Sequence, residues 1–549
     1  FALADLDSSL ALWPDIRLLT DGSRWAGPTV LVKGEAALEP GATVRVTGLA
    51  GEVQALVGPD SHFVAQVPLV PGENRLLASA DDGRPALSEP VIFTRVTGNL
   101  PRVDWQVRVA PDGRVTLDAS ATADPLGRSL GFRWKADPCN PAAVVLQSPN
   151  SATCPFQAPA VPGEYYFDLT VAAGEDTARA RAVVLVDSVG TPTIPDLGTW
   201  HPAWVDSLIL YEIYPRSFSP AGKLRAITGR MDELASLGVT GIWLMPIHPS
   251  AMTHGYWITN YFAVNPQYGT ERDLRDLVRA AHAHGIRVIL DFVVQHTHFS
   301  HPFMRDALAY GPASPYYRFY LWKSPGEYEY LFDWRNLPSV NFADSLAPDY
   351  FVEVAKYWVR EFDVDGYRCD VAWAIDNRRE GGPAFWQRLR QELKKLKPDV
   401  FLLAEAPSTE SNHFDRKFDA AYDGWFLAEI QKLLSGTGSV RKLDEDLRYH
   451  LGSSFPRHAR PMRYLENHDT DRFIALYGEQ ATRIAATLLL TVPGIPLVEY
   501  GQEVGERSHR GIVQWSDPHG LRPFYRKLIR LRRSVPALRG GAFRTLWAA

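Results

Sequence analysis

"DGYRCDVAW", residues 365–373, puts two charges, Arg368 and Asp370, into a short apolar run that directly follows a helical stretch. A strand buried on both faces has little reason to carry either, so the run reads as a core strand that emerges at a functional surface. A period of two puts both side chains on one face of that strand, pointing inward. Neighbouring runs repeat the design. "RVILDFVVQH" ends in Asp291, Gln295 and His296, "DVFLLAEA" carries Glu405, and "MRYLENHD" ends in His468 and Asp469. With "LILYEIYPRSF", "VTGIWLMPI", "KFDAAYDGWF" and "IPLVEYGQEVG" there are eight such runs, and helical patterns separate them. Eight strands alternating with helices predict a (β/α)8 TIM barrel, in which the C-terminal strand ends converge on one mouth. An open doubly wound sheet would place a Gly-rich phosphate loop after its first strand, and "YEIYPRSFSPAG" holds none.

The helical patterns support the alternation. In "PDYFVEVAKYWVREF", Phe351, Val354, Ala355, Trp358 and Phe362 recur at spacings of three and four, which makes one apolar face. "TERDLRDLVRAAHAHGI" opens on Thr270 as a start signal and stops near Gly285. Residues 297–346, after the third strand, are too long for a simple loop and read as a small inserted domain.

The first 190 residues have another rhythm. "ATVRVTGLAG", "HFVAQVPLVPGENRLLASA" and "GEYYFDLTVAAGEDTARARAVVLVD" alternate with period two and turn about every ten residues, the pattern of antiparallel sandwiches. Two immunoglobulin-like sandwiches are expected, 1–98 and 99–188, divided near "TGNLPR". A Pro/Gly/Thr-rich linker, 189–204, then leads to a barrel over 205–540. Residues 541–549, in "GGAFRTLWAA", read as the start of a C-terminal β-domain that is truncated or absent. The chain opens on Phe1, which leaves room for a removed leader.

Composition narrows the function. The 549 residues carry a formal net charge of −5, which argues against a polyanion-binding surface and for no nucleic-acid partner. No apolar run reaches the ~18 residues of a membrane span. Of three cysteines, Cys139 and Cys154 close a short loop and are open to two readings, a disulfide or two thiols; Cys369 reads as a small buried hydrophobe. With no C-x-x-C pair, a thiolate zinc site is not expected.

One strand-end Asp is often a helix cap, and a buried Arg–Asp pair is often scaffold. Charges at four strand ends of one mouth are not explained that way. Carboxyl pairs in unequal surroundings suit glycoside hydrolysis: Glu405 in an apolar setting stays protonated as the acid, and Asp370 beside Arg368 stays ionised.

The ordered motifs "DFVVQH", "GYRCD", "AE" and "NHD", with "GYWITNYFAVNPQYGT", resemble the α-amylase family of retaining glycoside hydrolases (glycoside hydrolase family 13) over roughly 205–540. The resemblance implies Asp370 as nucleophile, Glu405 as general acid/base and Asp469 as stabiliser of the oxocarbenium-like transition state. It implies that Arg368 orients Asp370, that His296 and His468 bind the sugar, and that Tyr256 stacks beneath it. Trp373 stands between an aglycone-side contact and core packing, and Asp291 and Gln295 are supports. The inserted segment would wall the cleft with Tyr316, Tyr317, Tyr320 and Trp322. Gln295 replaces the family's usual Asn, often a calcium ligand, so no metal or cofactor is expected to be required. Asn260 replaces a common Asp. The second sandwich, through "TLDASATADPLGRSLGFRWKA" and "PGEYYFDLTV", resembles the polycystic-kidney-disease (PKD) type.

The implied substrate is an α-1,4-glucan such as starch or maltooligosaccharides. A transglycosylase, or an α-1,6-, pullulan- or cyclodextrin-acting relative, is the alternative, and a non-catalytic carbohydrate-binding protein the remote one. The N-terminal sandwiches are open to polysaccharide or protein partners. Secreted, periplasmic or cell-surface residence is expected.

Overall fold

The computed structural model describes residues 16–18, 24–25, 29–80, 88, 90–95, 100–453, 455–540 and 545–546. The expected sandwich boundary at 98/99 and most of the 541–549 segment lie outside them.

Eight parallel strands close into a barrel: β1 (Leu210–Ile213), β2 (Gly241–Leu244), β3 (Arg287–Phe292), β4 (Gly366–Cys369), β5 (Phe401–Pro407), β6 (Ala420–Tyr422), β7 (Arg460–Arg463) and β8 (Ile495–Glu499). β1 pairs with β8 to complete the ring. Leu210, Trp243, Ile289, Leu403, Met462 and Leu497 pack together as one buried cluster. One alternation further along their strands stand Glu212, Asp291, Glu405 and Glu499. The barrel interior is therefore apolar below and acidic at the C-terminal mouth, as the period of two requires.

The helices form where the sequence patterns put them. Thr270 caps Glu271–Ala283 in a reciprocal capping box with Asp273. Leu346–Phe362 buries Phe351, Val354, Ala355, Trp358 and Phe362 against the barrel. Between β3 and that helix, the inserted segment holds a short helix, Pro302–Tyr310, and a strand pair, Trp322–Ser324 with Glu327–Tyr328.

Upstream, described strands of the first sandwich form a three-stranded sheet (Ile16–Leu18, Thr29–Ala36, His62–Pro68) and a five-stranded sheet that includes Thr43–Gly48 and Gly72–Ala80. In the second, three strands (Gln106–Val109, Arg114–Asp118, Thr153–Gln157) face a four-stranded sheet that includes Gly163–Ala173 and Asp176–Val186. Its core holds Trp134, Phe156 and Phe167 together with Cys154. Cys139 is exposed and Cys154 buried, both as free thiols, so the disulfide reading does not hold here. The strand pattern turns the Cys154 side chain into the apolar core, away from the surface loop that carries Cys139. Among the described residues, no helix is long and apolar enough to cross a membrane.

Candidate active site

Arg368 is the hub of the barrel mouth. Its side chain is fully buried, and Nη1 donates to Asp291 Oδ1 at 3.0 Å and to Asp370 Oδ1 at 2.6 Å. Nη2 lies 2.8 Å from Glu405 Oε2, and Nε donates to the Tyr422 hydroxyl at 3.0 Å. The guanidinium also lies over the Trp243 ring, 5.1 Å from its centroid. One cation thus grips three carboxyls delivered by β3, β5 and the turn after β4.

Burial pushes the Asp370 carboxyl up to about 6, against the lowering pull of Arg368. This corrects the expectation that the arginine decides the matter. The charge does favour the carboxylate, but removal from water outweighs it. Glu405 is likewise pushed up by burial, to about 7, with Arg368 opposing and the neighbouring Asp370 adding to the rise. Both carboxyls are thus held above their ordinary range, Asp370 below Glu405.

The backbone after Asp370 is strained. Val371 has φ +46°, in the left-handed region that a β-branched residue avoids, and there its N–H donates to Glu405 Oε2 at 2.7 Å. The kinked turn thereby ties Glu405 to the neighbour of Asp370.

A second chain of contacts runs around the other side of the mouth. His468 Nδ1 lies 2.5 Å from Glu212 Oε1, and Nε2 lies 2.8 Å from the Tyr256 hydroxyl, which donates to Asp291 Oδ2 at 3.0 Å. The Tyr256 and His468 rings stack at 5.4 Å. Burial would lower the His468 pKa, but Glu212 and Asp469 raise it above its ordinary value. Asp469 Oδ1 accepts from Arg510 at 2.9 Å and Oδ2 is 3.2 Å from His468. Burial acts to raise the Asp469 carboxyl, yet His468, Arg368 and Arg510 hold it below the ordinary range. About half of the Asp469 side chain is exposed, the most open of the three carboxyls.

Asp291 and Gln295 lie behind this surface. Asp291 also accepts from Trp243 Nε1 at 3.2 Å. Gln295 Nε2 donates to Ser339 Oγ at 3.0 Å, and its Oε1 lies 3.0 Å from His296 Nδ1. With both ends of that amide engaged by a hydroxyl and an imidazole, the residues present do not fit a calcium ion held through Gln295. His296 is buried, and its Nε2 contacts the Tyr256 carbonyl at 3.1 Å, so both ring nitrogens meet protein atoms. Burial pushes its pKa down to about 4. Asn260 accepts from the Phe262 N–H and supports a turn.

Trp373 lines a cavity of about 290 Å³ with Glu405, Tyr422 and Trp425. The inserted segment corrects one expectation. Tyr316 and Tyr320 are buried, Tyr316 stacks on Phe303 at 4.0 Å, and Tyr317 stacks on Trp322 at 4.2 Å. Tyr316 and Tyr320 are part of the main core, packed with Tyr261, Tyr350 and Phe351 of the barrel, while Tyr317 and Trp322 are half-buried against each other. Phe332 and Trp334, 56% and 41% exposed, stand 6.2 Å from Trp373 and 6.4 Å from His296.

Sequence reasoning missed Glu212, Trp243, Tyr422 and Arg510. Glu212 carries the same signal as Arg368, a lone charge in the apolar run "LILYEIY", and was there to be read. Trp243 and Tyr422 look like core residues, and Arg510 lies in a loop with no periodicity.

The family model described as "Alpha amylase, catalytic domain" matches residues 212–522, and a second, described as a "PKD domain", matches 103–186. The alpha-amylase MalA of Haloarcula japonica is 34% identical over 350 residues, which cover 62% of this chain and 51% of that protein. A cyclomaltodextrinase of Geobacillus thermopakistaniensis is 30% identical, covering 62% of this chain and 64% of that one. The chain thus spans about half to two thirds of the length of these relatives. The crystal structure of an alpha-amylase from Geobacillus thermoleovorans, complexed with acarbose, superposes with a TM-score of 0.55 at 27% identity over 63% of this chain and 82% of that one.

Proposed function

The chain belongs to the alpha-amylase family of glycoside hydrolases, and from that premise we propose that it hydrolyses α-1,4-glucans, starch or maltooligosaccharides, with retention of configuration. The observation that carries this reading is the single guanidinium shared by Asp370 and Glu405. Two carboxyls on neighbouring nitrogens of one fork favour the short spacing (~5–5.5 Å) of a retaining pair over the ~6.5–9.5 Å of an inverting one.

In this mechanism Glu405, protonated near neutrality, donates its proton to the glycosidic oxygen. Asp370, ionised, attacks the anomeric carbon and forms a covalent glycosyl-enzyme. Glu405, now a carboxylate, takes a proton from the incoming water, whose oxygen attacks the same carbon and releases Asp370. Asp469, partly exposed and held anionic by Arg510 and His468, faces the sugar hydroxyls and the positive charge that develops on the ring. Tyr256, fixed by Asp291 and His468, offers its face to that sugar. His296 acts by holding the Tyr256 backbone, and Trp373 and Trp425 flank the leaving-group side. Each of these steps is carried by side chains of this chain and by water.

Relatives that include a cyclomaltodextrinase keep a cyclodextrin-acting reading alive on the same residues. Residence outside the cytoplasm rests on the polymeric substrate and the sandwich modules, without the disulfide.

The test is digestion of soluble starch, maltoheptaose, pullulan and β-cyclodextrin by wild type and by Asp370→Asn, with products resolved by size and anomer. α-Anomeric maltooligosaccharides from starch, absent in the variant, are expected. Preferred opening of the cyclodextrin moves the substrate to the second reading, products longer than maltoheptaose move the reaction to transfer, and β-anomers overturn the mechanism.

A further inference from the structure

Glu212, on β1, is a fully buried acid that the mechanism leaves idle. A carboxylate is costly to take out of water unless a partner answers it. Its Oε1 lies 2.5 Å from His468 Nδ1, and its Oε2 is buried without a hydrogen-bond partner. Among the described residues, the imidazole that serves the sugar-binding mouth is thus the carboxyl's one hydrogen-bond partner.

The neighbours of Glu212 do not compete for that imidazole. Glu499 stands beside it in the β1–β8 register, and Glu466 lies on the segment after β7. Arg472 takes those two, with Nη1 3.0 Å from each. Burial raises the Glu499 carboxyl well above its ordinary range; Arg472 opposes the rise, and Glu212 and Glu466 add to it. The other titratable groups nearby are the hydroxyls of Tyr422, Tyr464 and Tyr500, which burial keeps protonated.

Hydrogen-bond directions then count the protons on His468. The Tyr256 hydroxyl has one proton and touches two groups, Asp291 Oδ2 at 3.0 Å and His468 Nε2 at 2.8 Å. Asp291 is held as an acceptor. Arg368 Nη1 donates to both of its oxygens, at 3.0 and 3.2 Å, and Trp243 Nε1 donates at 3.2 Å. Burial raises the Asp291 carboxyl, and the Arg368 charge opposes the rise. The Tyr256 proton therefore goes to Asp291, and Nε2 must bring a proton of its own to meet the hydroxyl. Asp469 Oδ2, 3.2 Å from Nε2, is a second acceptor on that side. Nδ1, facing Glu212, needs a proton as well, so the ring is an imidazolium.

The remaining charges agree with this count. Burial and Arg368 act to lower the His468 pKa, yet Glu212 and Asp469 raise it above its ordinary value. His254 is pushed down to about 4 by burial and is neutral at pH 7. Arg510 and His509 meet the backbone carbonyl of His468, not its ring.

We propose that Glu212 is a positioning residue for the reaction inferred above: it keeps a proton on each nitrogen of His468, and so aims the Tyr256 hydroxyl at Asp291 and holds Asp469 where it meets the sugar. The inference rests on reading the mouth as a glycoside-hydrolase site. In Glu212→Gln the amide oxygen still accepts from Nδ1, but a neutral ring has a bare Nε2. That nitrogen takes the Tyr256 proton away from Asp291 and turns a lone pair toward Asp469. The groups that touch the sugar lose alignment although none of them has been changed.

Nitrogen-15 shifts of histidine-labelled full-length protein, with His468 assigned by its loss in His468→Gln, read the ring directly. Two protonated nitrogens are expected in wild type at pH 7 and one in Glu212→Gln. On maltoheptaose, Glu212→Gln should lower kcat by about 10–100-fold with KM little changed, the usual loss when an outer partner of a site is removed. Its kcat/KM should also fall off at lower pH than in wild type, because the imidazolium is lost as pH rises through a lowered pKa. Glu212→Asp keeps the charge, so it should keep the wild-type falling limb at reduced kcat, and it carries the test if the Gln variant does not fold by near-ultraviolet circular dichroism. A neutral His468 in wild type overturns the proposal. So does Glu212→Gln with wild-type kcat, or with a lowered kcat and an unmoved limb, the mark of a merely structural role. A wild type that cleaves no α-glucan but carries a doubly protonated His468 would instead overturn the reading of the reaction and leave the Glu212–His468 pairing standing.

Discussion

At the residue scale the site is a contest between burial and charge, and pH exposes its outcome. The proposed mechanism needs Asp370 ionised and Glu405 protonated, and they stand at about 6 and about 7. The rate constant kcat/KM should therefore rise through pH 6 as Asp370 loses its proton and fall above pH 7 as Glu405 loses its own, a bell with its maximum between them. In Glu405→Gln the falling limb should vanish and the rising limb remain, measured on a substrate with a good leaving group that needs no acid. An unchanged falling limb would assign it to another group. Asp370→Asn should cost on the order of 10⁴-fold in kcat. For Arg368→Leu the loss extends to stability. Buried Asp291 and Asp370 and half-buried Glu405 would lose their common cation, and breaking a buried pair costs about 3–5 kcal/mol. Denaturant titration beside the activity assay would show whether both fall together.

At the scale of the elements, what the sequence disclosed follows from what a strand end must carry. Arg368, Asp370, Glu405 and Asp469 were legible because a charge on an apolar strand is conspicuous. The closing contacts of Trp243 and Tyr422 were not, since their apolar bulk is what any core needs and only the hydroxyl and indole N–H differ. Tyr316 and Tyr320 misled for a related reason, because exposure cannot be read from residue type and both rings are buried in the core shared with the barrel. The glycine at the foot of β4 shows how tightly the elements are set. A Cβ on Gly366 would stand 2.2 Å from the Phe401 carbonyl oxygen on β5. Gly366→Ala should therefore push β4 from β5, the two strands nearest Asp370 and Glu405. Overpacking of this kind costs about 1–3 kcal/mol, and kcat should fall while KM changes less, because the two carboxyls lose register before the cleft loses its shape. Wild-type kcat in a destabilised variant would show that the mouth tolerates the shift.

At the scale of the whole molecule, the second sandwich is a brace for the barrel as well as a neighbour. Trp105 Nε1 donates to the Lys395 carbonyl at 2.7 Å, and Glu164 accepts from the Ala203 N–H at 2.8 Å. Arg181 reaches across to Asp399, 3.3 Å away at the base of β5. The first sandwich meets the insert instead, where Lys33 Nζ sits 3.4 Å over the Tyr310 ring and Tyr316 donates to the Leu31 carbonyl. None of these contacts was legible, because each joins segments far apart in the chain through side chains that look like ordinary surface residues. Asp399 is 1% exposed, and burial would raise its pKa, but Arg181, Lys397 and Arg287 hold it below the ordinary range. Its contribution is therefore full above the unfolded value of ~3.9 and is lost as pH falls through the lower folded value. Arg181→Gln should thus destabilise at pH 7 and cease to matter in strong acid. Arg181 is 21% exposed and Arg287 remains 3.4 Å from Asp399, so the cost should be about 1–2 kcal/mol, below that of a fully buried pair. Calorimetry on Arg181→Gln, Asp399→Asn and the double variant would isolate the coupling, with kcat as a control expected to stay at the wild-type value. Additive losses would mean that the sandwich is only tethered. A coupling that fades in acid would mean that a domain with no part in the chemistry helps stabilise the base of β5.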